Sequence, residues 1–241
     1  MLQTIIYFYK RKIEPGIKIP RDAKVIDLGS GDKPFWRGDI FLDKLAHESQ
    51  DIHRITKQGV IKNVGSFIDA DITNIPIKNK YFDFSFCSHV LEHLEEPQKA
   101  LNEIQRISKA GYIEVPDGIV ETIEPRRSHF WFIFLNNNKL VFIRKSKTMQ
   151  EILYPHGRKH IYLFKKMKEP FIRLYWKDKI DYEVIDNLSK KDKQIVNEAN
   201  SLPEEFLNQG PYILIIKALR FLFYKPKSKN LLKDSLRQKP Q

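Results

Sequence analysis

The stretch Val25-Ile26-Asp27-Leu28-Gly29-Ser30-Gly31-Asp32 carries a short apolar run straight into a glycine turn. Val and Ile suit an extended, buried backbone. Glycine adopts dihedrals closed to other residues and lets a backbone approach a ligand closely. A strand ending in such a turn predicts an open α/β sheet, since those sheets bind ligands at the carboxyl ends of their strands. Outward from this point, residues 23–116 alternate short apolar runs with turn residues and polar helical stretches, the rhythm of a mostly parallel sheet. Strands are expected at 24–28, 40–43, 66–70, 82–87 and 112–115. A helix is expected over 97–109, with Pro97 at its start, Ala100, Leu101, Ile104 and Ile107 on one face, and Gly111 after its end.

Past Pro116 the pattern changes. HFWFIF (129–134) and KLVFIRK (139–145) flank Asn136, Asn137 and Asn138, which tolerate positive φ, and an antiparallel hairpin is expected. FIRLYW (171–176) and DYEVI (181–185) read as a second antiparallel pair, and 190–200 as a polar helix. The chain thus divides into an N-terminal extension (1–21), an α/β domain with hairpin additions toward its C-terminus (22–200), and a C-terminal apolar segment with a basic tail (201–241).

Composition narrows the function. With 41% hydrophobic residues, 16 Phe and 10 Tyr, the chain has the apolar material for a core and is not of the disordered class. Cys87 is the single cysteine, which excludes an internal disulfide and a cysteine-based zinc site and fits a reducing cytoplasm; its expected place is the core. A net charge of +12 attracts anionic partners. The basic residues are spread over 11–21, 139–147, 158–168 and 225–239, so a generally basic surface is favoured over a nucleic-acid stripe. The opening MLQTIIYFYKRK lacks the apolar core and cleavage site of a leader, and no run is long enough to span a bilayer. The apolar run 212–224, broken by Lys217 and Arg220 and followed by Lys225, Lys227 and Lys229, fits either the core or the surface of an anionic membrane. The basic tail tilts the reading toward peripheral contact at the inner membrane face.

Asp43 ends the second apolar run, where a carboxylate can accept hydrogen bonds from both ribose hydroxyls of a nucleoside. A dinucleotide fingerprint would add a third glycine and a helix whose N-terminus meets pyrophosphate. Here Pro34 follows, and only residues 32–39 separate Gly31 from Ile40, too few for a helix and a turn. A nucleoside ligand without phosphate is the better match.

Two further phrases come in order: Asp69-Ala70-Asp71-Ile72 leading to Ile75-Pro76, and Phe82 to His93, FDFSFCSHVLEH. With them, residues 22–116 resemble the class I methyltransferases that use S-adenosylmethionine (SAM), particularly the type 11 subgroup. The resemblance implies a Rossmann-like α/β fold and SAM as cofactor. It implies that Asp27, Gly29 and Gly31 form the turn beneath the methionine part and that Asp43 binds the ribose. Asp71 would accept the adenine amino group with Ile72 against the ring, and Ser88 and His89 would line the sulfonium pocket. The chain departs from the family in having DKPFWRGD where a full helix usually follows the glycine turn. This shortening, with the phrases GYIEVP and SHFWF, resembles type 11 enzymes encoded alongside bacterial surface-carbohydrate enzymes.

HVLEHL, with His89, Glu92 and His93, resembles the Glu-x-x-Glu-His that some quinone-biosynthesis and small-RNA methyltransferases use to bind a divalent cation. His89 replaces the first acid, and a Glu/His remnant suits magnesium poorly, so no metal is expected and helix capping and packing are the favoured roles. His129, in Arg126-Arg127-Ser128-His129, is a candidate base alongside His89, because a histidine titrating near neutrality can take the proton of a hydroxyl acceptor. An interfacial packing role for His129 is the reading weighed against it. The expected activity is SAM-dependent O-methylation of a carbohydrate or lipid-linked surface glycan. The rivals are RNA or a small aromatic or quinone-like hydroxyl as acceptor, and a binding module that keeps the SAM fold without transfer.

Overall fold

The computed structural model describes residues 16–31, 33–44, 65–123, 125–126, 128–146, 171–187, 220 and 230–236. Five strands, β1 (Val25–Leu28), β2 (Ile40–Asp43), β3 (Ser66–Asp69), β4 (Phe82–Ser88) and β5 (Ser108–Pro116), lie parallel in the order β3-β2-β1-β4-β5. The order reverses between β1 and β4, so a crevice opens at the carboxyl end of β1, where ligands bind in sheets of this kind. The glycine turn sits at that point.

Four strands keep the expected bounds to within one residue, and β5 starts earlier than expected. Helix α1 (Pro97–Ile107) ends two residues before the predicted position, because Ser108 is already extended (φ −124°, ψ 155°) and pairs with Phe82. The sheet ladder overrides the helix preference of Lys109 and Ala110. Gly111 therefore does not cap the helix but lies inside β5, where a Cβ would fall 2.5 Å from Ser85 Oγ and 2.6 Å from Trp176 Nε1. Only glycine lets the three strands approach there.

Alternation along the strands feeds two cores. Ile26, Leu28, Cys87, Ile113 and Val115 face a large cluster containing Ala100, Leu101, Ile104 and Ile107 of α1. Val25, Phe84, Phe86 and Tyr112 face the other side, with Ala23 and Phe35. On this second face the missing helix is replaced by a pile of rings. Phe35 stacks on Phe86 (centroids 4.2 Å apart, planes 9° apart) and Phe86 on Tyr112 (5.4 Å, 12°), while Tyr175 meets Tyr112 edge-on at 5.0 Å. Large rings bury much apolar area per residue, so a short loop can cover what a helix would otherwise cover.

After β5 come a short helix α2 (Gly118–Ile123) and a hairpin, β6 (Trp131–Asn136) and β7 (Lys139–Arg144). Asn136 pairs with Lys139, and both turn residues have positive φ (Asn137 48°, Asn138 62°), the two-residue primed turn expected from the asparagines. The second pair differs from expectation. β8 (Phe171–Lys177) runs antiparallel to β5 and completes a six-stranded sheet, whereas β9 (Tyr182–Ile185) joins β7 in parallel and makes a separate three-stranded sheet. Ile172, Leu174 and Trp176 alternate into the main core alongside Ile113 and Val115, and this burial outweighs a local hairpin with β9.

Two described pieces of the C-terminal quarter touch the sheet domain. Arg220 Nη1 donates to the carbonyls of Trp36 and Gly38 (3.2 and 2.6 Å). The helix Leu231–Ser235 receives a hydrogen bond from Tyr81 Oη at the Leu231 carbonyl and one from the Lys78 amide at the Ser235 carbonyl. The polar helix expected at 190–200, the N-terminal 1–15 and the apolar run 212–224, apart from Arg220, lie outside the described residues. None of the helices in the described residues is long and apolar enough to cross a membrane.

Candidate functional site

The glycine turn is held by backbone groups and two carboxylates. The amides of Gly29 and Ser30 donate to the Leu42 carbonyl (2.8 and 3.3 Å), so the turn folds back over the end of β2. Gly29 and Gly31 have φ of +67° and +53°. Asp27 is buried and its Oδ2 accepts the Phe35 amide at 2.6 Å. It buttresses the loop that carries the ring stack, which agrees with a role in shaping the turn. Asp43, half-buried at the end of β2, accepts the Gly31 amide on Oδ2 (2.7 Å) and the Lys44 amide on Oδ1 (2.8 Å). The structure thus joins Asp43 to the turn.

Two observations bear on whether this crevice suits a nucleoside. Among the described residues, a Cβ on Gly31 would meet nothing closer than Asp43 Oδ2 at 3.8 Å, so the turn itself leaves room for a ligand. Ser30 Oγ is buried with no hydrogen-bond partner. Buried hydroxyls are normally satisfied, so this one is an orphan donor and acceptor facing a polar guest or water. The sequence analysis passed over Ser30, because a serine between two glycines reads as turn chemistry.

Further along the sheet edge, Asp71 Oδ1 accepts the amide and the hydroxyl of Thr73 (2.9 and 2.7 Å), and Oδ2 accepts Lys44 Nζ (2.9 Å). Burial alone would raise its carboxyl, but these donors bring it down to about 2. An adenine amino group would compete with Lys44 for Oδ2. Ile72 is buried in the main core.

Past β4, the backbone turns sharply at His89, which has φ +56°. Such a value is uncommon outside glycine and marks a position held by its surroundings. The His89 amide donates to the Glu114 carbonyl (2.9 Å), His89 Nδ1 donates to Glu92 Oε1 (2.9 Å), and Nε2 lies 3.3 Å from Glu114 Oε1. The side chain keeps 22% exposure. Glu114 is fully buried and accepts Ser88 Oγ (3.2 Å), Tyr112 Oη (2.7 Å) and Arg173 Nε (3.2 Å). Burial, then the neighbouring Glu114 carboxylate, push the Tyr112 phenol up, so it stays protonated and donates. Ser88 and His89 thus both meet the buried Glu114 carboxylate, which the sequence did not single out. A lone Glu in the apolar run YIEVP was its only signal.

His89, Glu92 and His93 bracket a one-turn 3₁₀ helix, Leu91–His93. Burial alone would raise the Glu92 carboxyl, but the His89 hydrogen bond and the nearby His93 and His129 lower it to about 2. His129 is buried, and its Nδ1 donates to Glu121 Oε2 (2.7 Å). Lys145, fully buried, is ion-paired with Glu121 Oε1 and donates to the Arg126 carbonyl (3.3 Å). Burial would raise Glu121, but His129 and Lys145 hold it below the usual carboxylate range. The structure therefore sets His129 into a buried charge network beside the turn, its ring edge-on to that of His93 at 4.6 Å. No spacing rule links residues 93, 121, 129 and 145, and this network was not legible in the sequence.

A cavity of about 740 Å³ flanks the same turn, lined by Glu95, Glu96, Gln98, Trp131, Tyr182 and Glu183 among others.

Comparison with known proteins meets this geometry. Residues 45–113 match the family model described as a methyltransferase domain, the type 11 family. Over that stretch the chain is similar to the type 11 subgroup of class I methyltransferases. That family implies SAM as cofactor, and the Asp43 carboxylate and Ser30 hydroxyl at the turn are groups of the kind that would hold a nucleoside. A demethylmenaquinone methyltransferase from Chlamydia pneumoniae is 33% identical over 76 residues, 31% of either chain, so the chain spans about a third of that relative's length. Among solved structures, a Pyrococcus horikoshii protein overlaps 64% of this chain and 80% of its own at 18% identity, TM-score 0.40. A SAM-dependent methyltransferase from Aquifex aeolicus overlaps 42% and 60% at 18% identity, TM-score 0.34. The fold itself rests on the strand order and register of the six-stranded sheet.

Proposed function

We propose that this chain is a SAM-dependent methyltransferase acting on a hydroxyl of a neutral, hydroxyl-rich acceptor, a carbohydrate or lipid-linked glycan. The observation that carries the transferase reading is the Asp43 carboxylate bonded to the Gly31 amide at the switch point of the sheet. SAM, when bound, supplies a methyl group on a sulfonium, an electrophile that needs positioning more than activation. Asp43 would bind the ribose hydroxyls, adding to or replacing its backbone donors. Ser30 Oγ would satisfy a polar atom of the methionine part. Asp71 and Ile72 would flank adenine. Ser88, on Glu114, and His89 at the end of β4 would border the reacting centre. His89 is the partly exposed candidate for taking the acceptor's proton, while the buried His129 is held on Glu121. The cavity beside the 3₁₀ turn is lined by Glu95, Glu96 and Glu183, and an acceptor held there would be a neutral polyol rather than an anion, since carboxylates accept hydrogen bonds from hydroxyls and repel phosphate.

A second reading, an aromatic quinol acceptor, is favoured by the partial similarity to a demethylmenaquinone methyltransferase. Transfer of labelled methyl from SAM to a panel of glycans and quinols tests both. Asp43→Ala should weaken binding of S-adenosylhomocysteine, measured by calorimetry, by the loss of hydrogen bonds to a charged group, about 1.5–3 kcal/mol each. Unchanged affinity, or no transfer to any acceptor by a protein that binds the cofactor, would count against the reading.

A further inference from the structure

The buried carboxylate beside His93 and His129 has an unexplained atom. Glu92 Oε1 accepts from His89, but Glu92 Oε2 is buried with no hydrogen-bond partner. An ionised oxygen left in this state is rare and calls for a water or an ion. Lys145, a buried cation near enough to feel the Glu92 charge, is committed to Glu121. One donor atom from each of Glu92, His93 and His129 lies within 4.8 Å of the others. Two donors on one tetrahedral zinc ion sit about 3.4 Å apart, so the set needs a closing movement of the order of 1 Å. His93 is the exposed member of the set.

The hydrogen bonds orient both rings for this task. His93 Nδ1 donates to the Ser128 carbonyl (3.0 Å) and His129 Nδ1 to Glu121 Oε2 (2.7 Å). Each contact places the proton on Nδ1 and the lone pair on Nε2, the tautomer in which a metal-binding histidine is held by a carbonyl or carboxylate on its far nitrogen. The backbone joins the same parts: the Phe130 amide donates to the Glu92 carbonyl (2.8 Å), tying the segment after His129 to the 3₁₀ turn.

We infer that Glu92, His93 and His129 form a binding site for a divalent transition-metal ion of the zinc class. Two imidazoles and one carboxylate suit zinc, cobalt, nickel or ferrous iron, whereas magnesium demands oxygen ligands. Three protein donors leave coordination positions for water or a hydroxyl oxygen, and the exposed edge of His93 provides the entry path. The site stands on these residues alone and does not depend on the methyl-transfer reading.

The test uses the untagged full chain, stripped with a chelator and dialysed. Cobalt(II) should bind with one-to-one stoichiometry, giving visible absorption that zinc abolishes by displacement and that a large excess of magnesium leaves unchanged. His93→Ala, an exposed position whose loss leaves the core intact, should weaken cobalt binding at least about 10-fold, the lower end of what removing even an outer partner of a metal-bound histidine costs. Glu121→Gln should weaken it about 10- to 100-fold, with circular dichroism confirming that the variant is folded. Absence of stoichiometric binding, displacement by magnesium, or an undiminished affinity in His93→Ala would each overturn the proposal.

Discussion

The two turn glycines serve different ends, and substitution should separate them. At Gly29 a Cβ would lie 2.2 Å from Val90 Cγ2 with φ at +67°, so Gly29→Ala meets both backbone strain and a packed side chain. It should destabilise the fold by at least the roughly 1–3 kcal/mol of a residue forced into that region, read by denaturant titration. Gly31→Ala faces strain but no close contact among the described residues, and its added methyl should lower affinity for S-adenosylhomocysteine while the protein stays folded. If both variants bound the cofactor normally, the crevice would not be its site. Asp71 offers a second test. Because its folded-state carboxyl is lowered to about 2 from 3.8, its contribution to stability is complete above pH 4 and is lost as pH falls toward 2. Carbon NMR should show its midpoint near 2, rising in Lys44→Ala, and the shift should shrink with salt because the pair is exposed (71% and 39%). At this scale the glycine turn and the acid bonded to it were legible, since a strand-end glycine or acid announces itself. Glu114, Glu121 and Lys145 were not, because partners distant in sequence give a buried charge its meaning.

Elements show what local pattern can and cannot fix. The β6–β7 turn followed from Asn137 and Asn138 alone, because positive φ is a property of those residues. The fate of β8 did not, because the choice between a hairpin with β9 and a ladder with β5 depends on which surface buries Ile172, Leu174 and Trp176. The end of α1 was misplaced for the same reason, with Ser108 drawn into the sheet. The ring stack that stands in for the absent helix carries its own prediction. Phe35 is buried between the loop and Phe86, so Phe35→Ala should cost about 3–5 kcal/mol, as truncating a core aromatic does. The loop would loosen with it, since the Phe35 amide is also Asp27's partner. Cofactor affinity should therefore fall together with the denaturation midpoint, whereas Trp36→Ala, at a partly buried neighbour, should alter both less.

In the molecule as a whole, one of the links between the two sheets is too short to let them act apart. Residues 178–181 leave the edge of the six-stranded sheet at Lys177 and enter the three-stranded sheet at Tyr182. Along the way the Asp178 amide donates to the Lys109 carbonyl (2.8 Å), the Ile180 amide to Gln105 Oε1 (2.7 Å) and the Leu140 amide to the Asp181 carbonyl (2.9 Å). The strap is thus pinned in turn to β5, to α1 and to β7. A segment fastened at each step has no slack with which to unzip one sheet while sparing the other. Opening of the hairpin should then require release of β8, and the two should belong to one cooperative unit. In native-state hydrogen exchange, amides of β7 and β8 should merge into a common opening free energy as denaturant is raised, and Gln105→Ala should lower both together. Exchange from β7 at a lower free energy than β8 throughout would show instead that the hairpin swings as an independent flap.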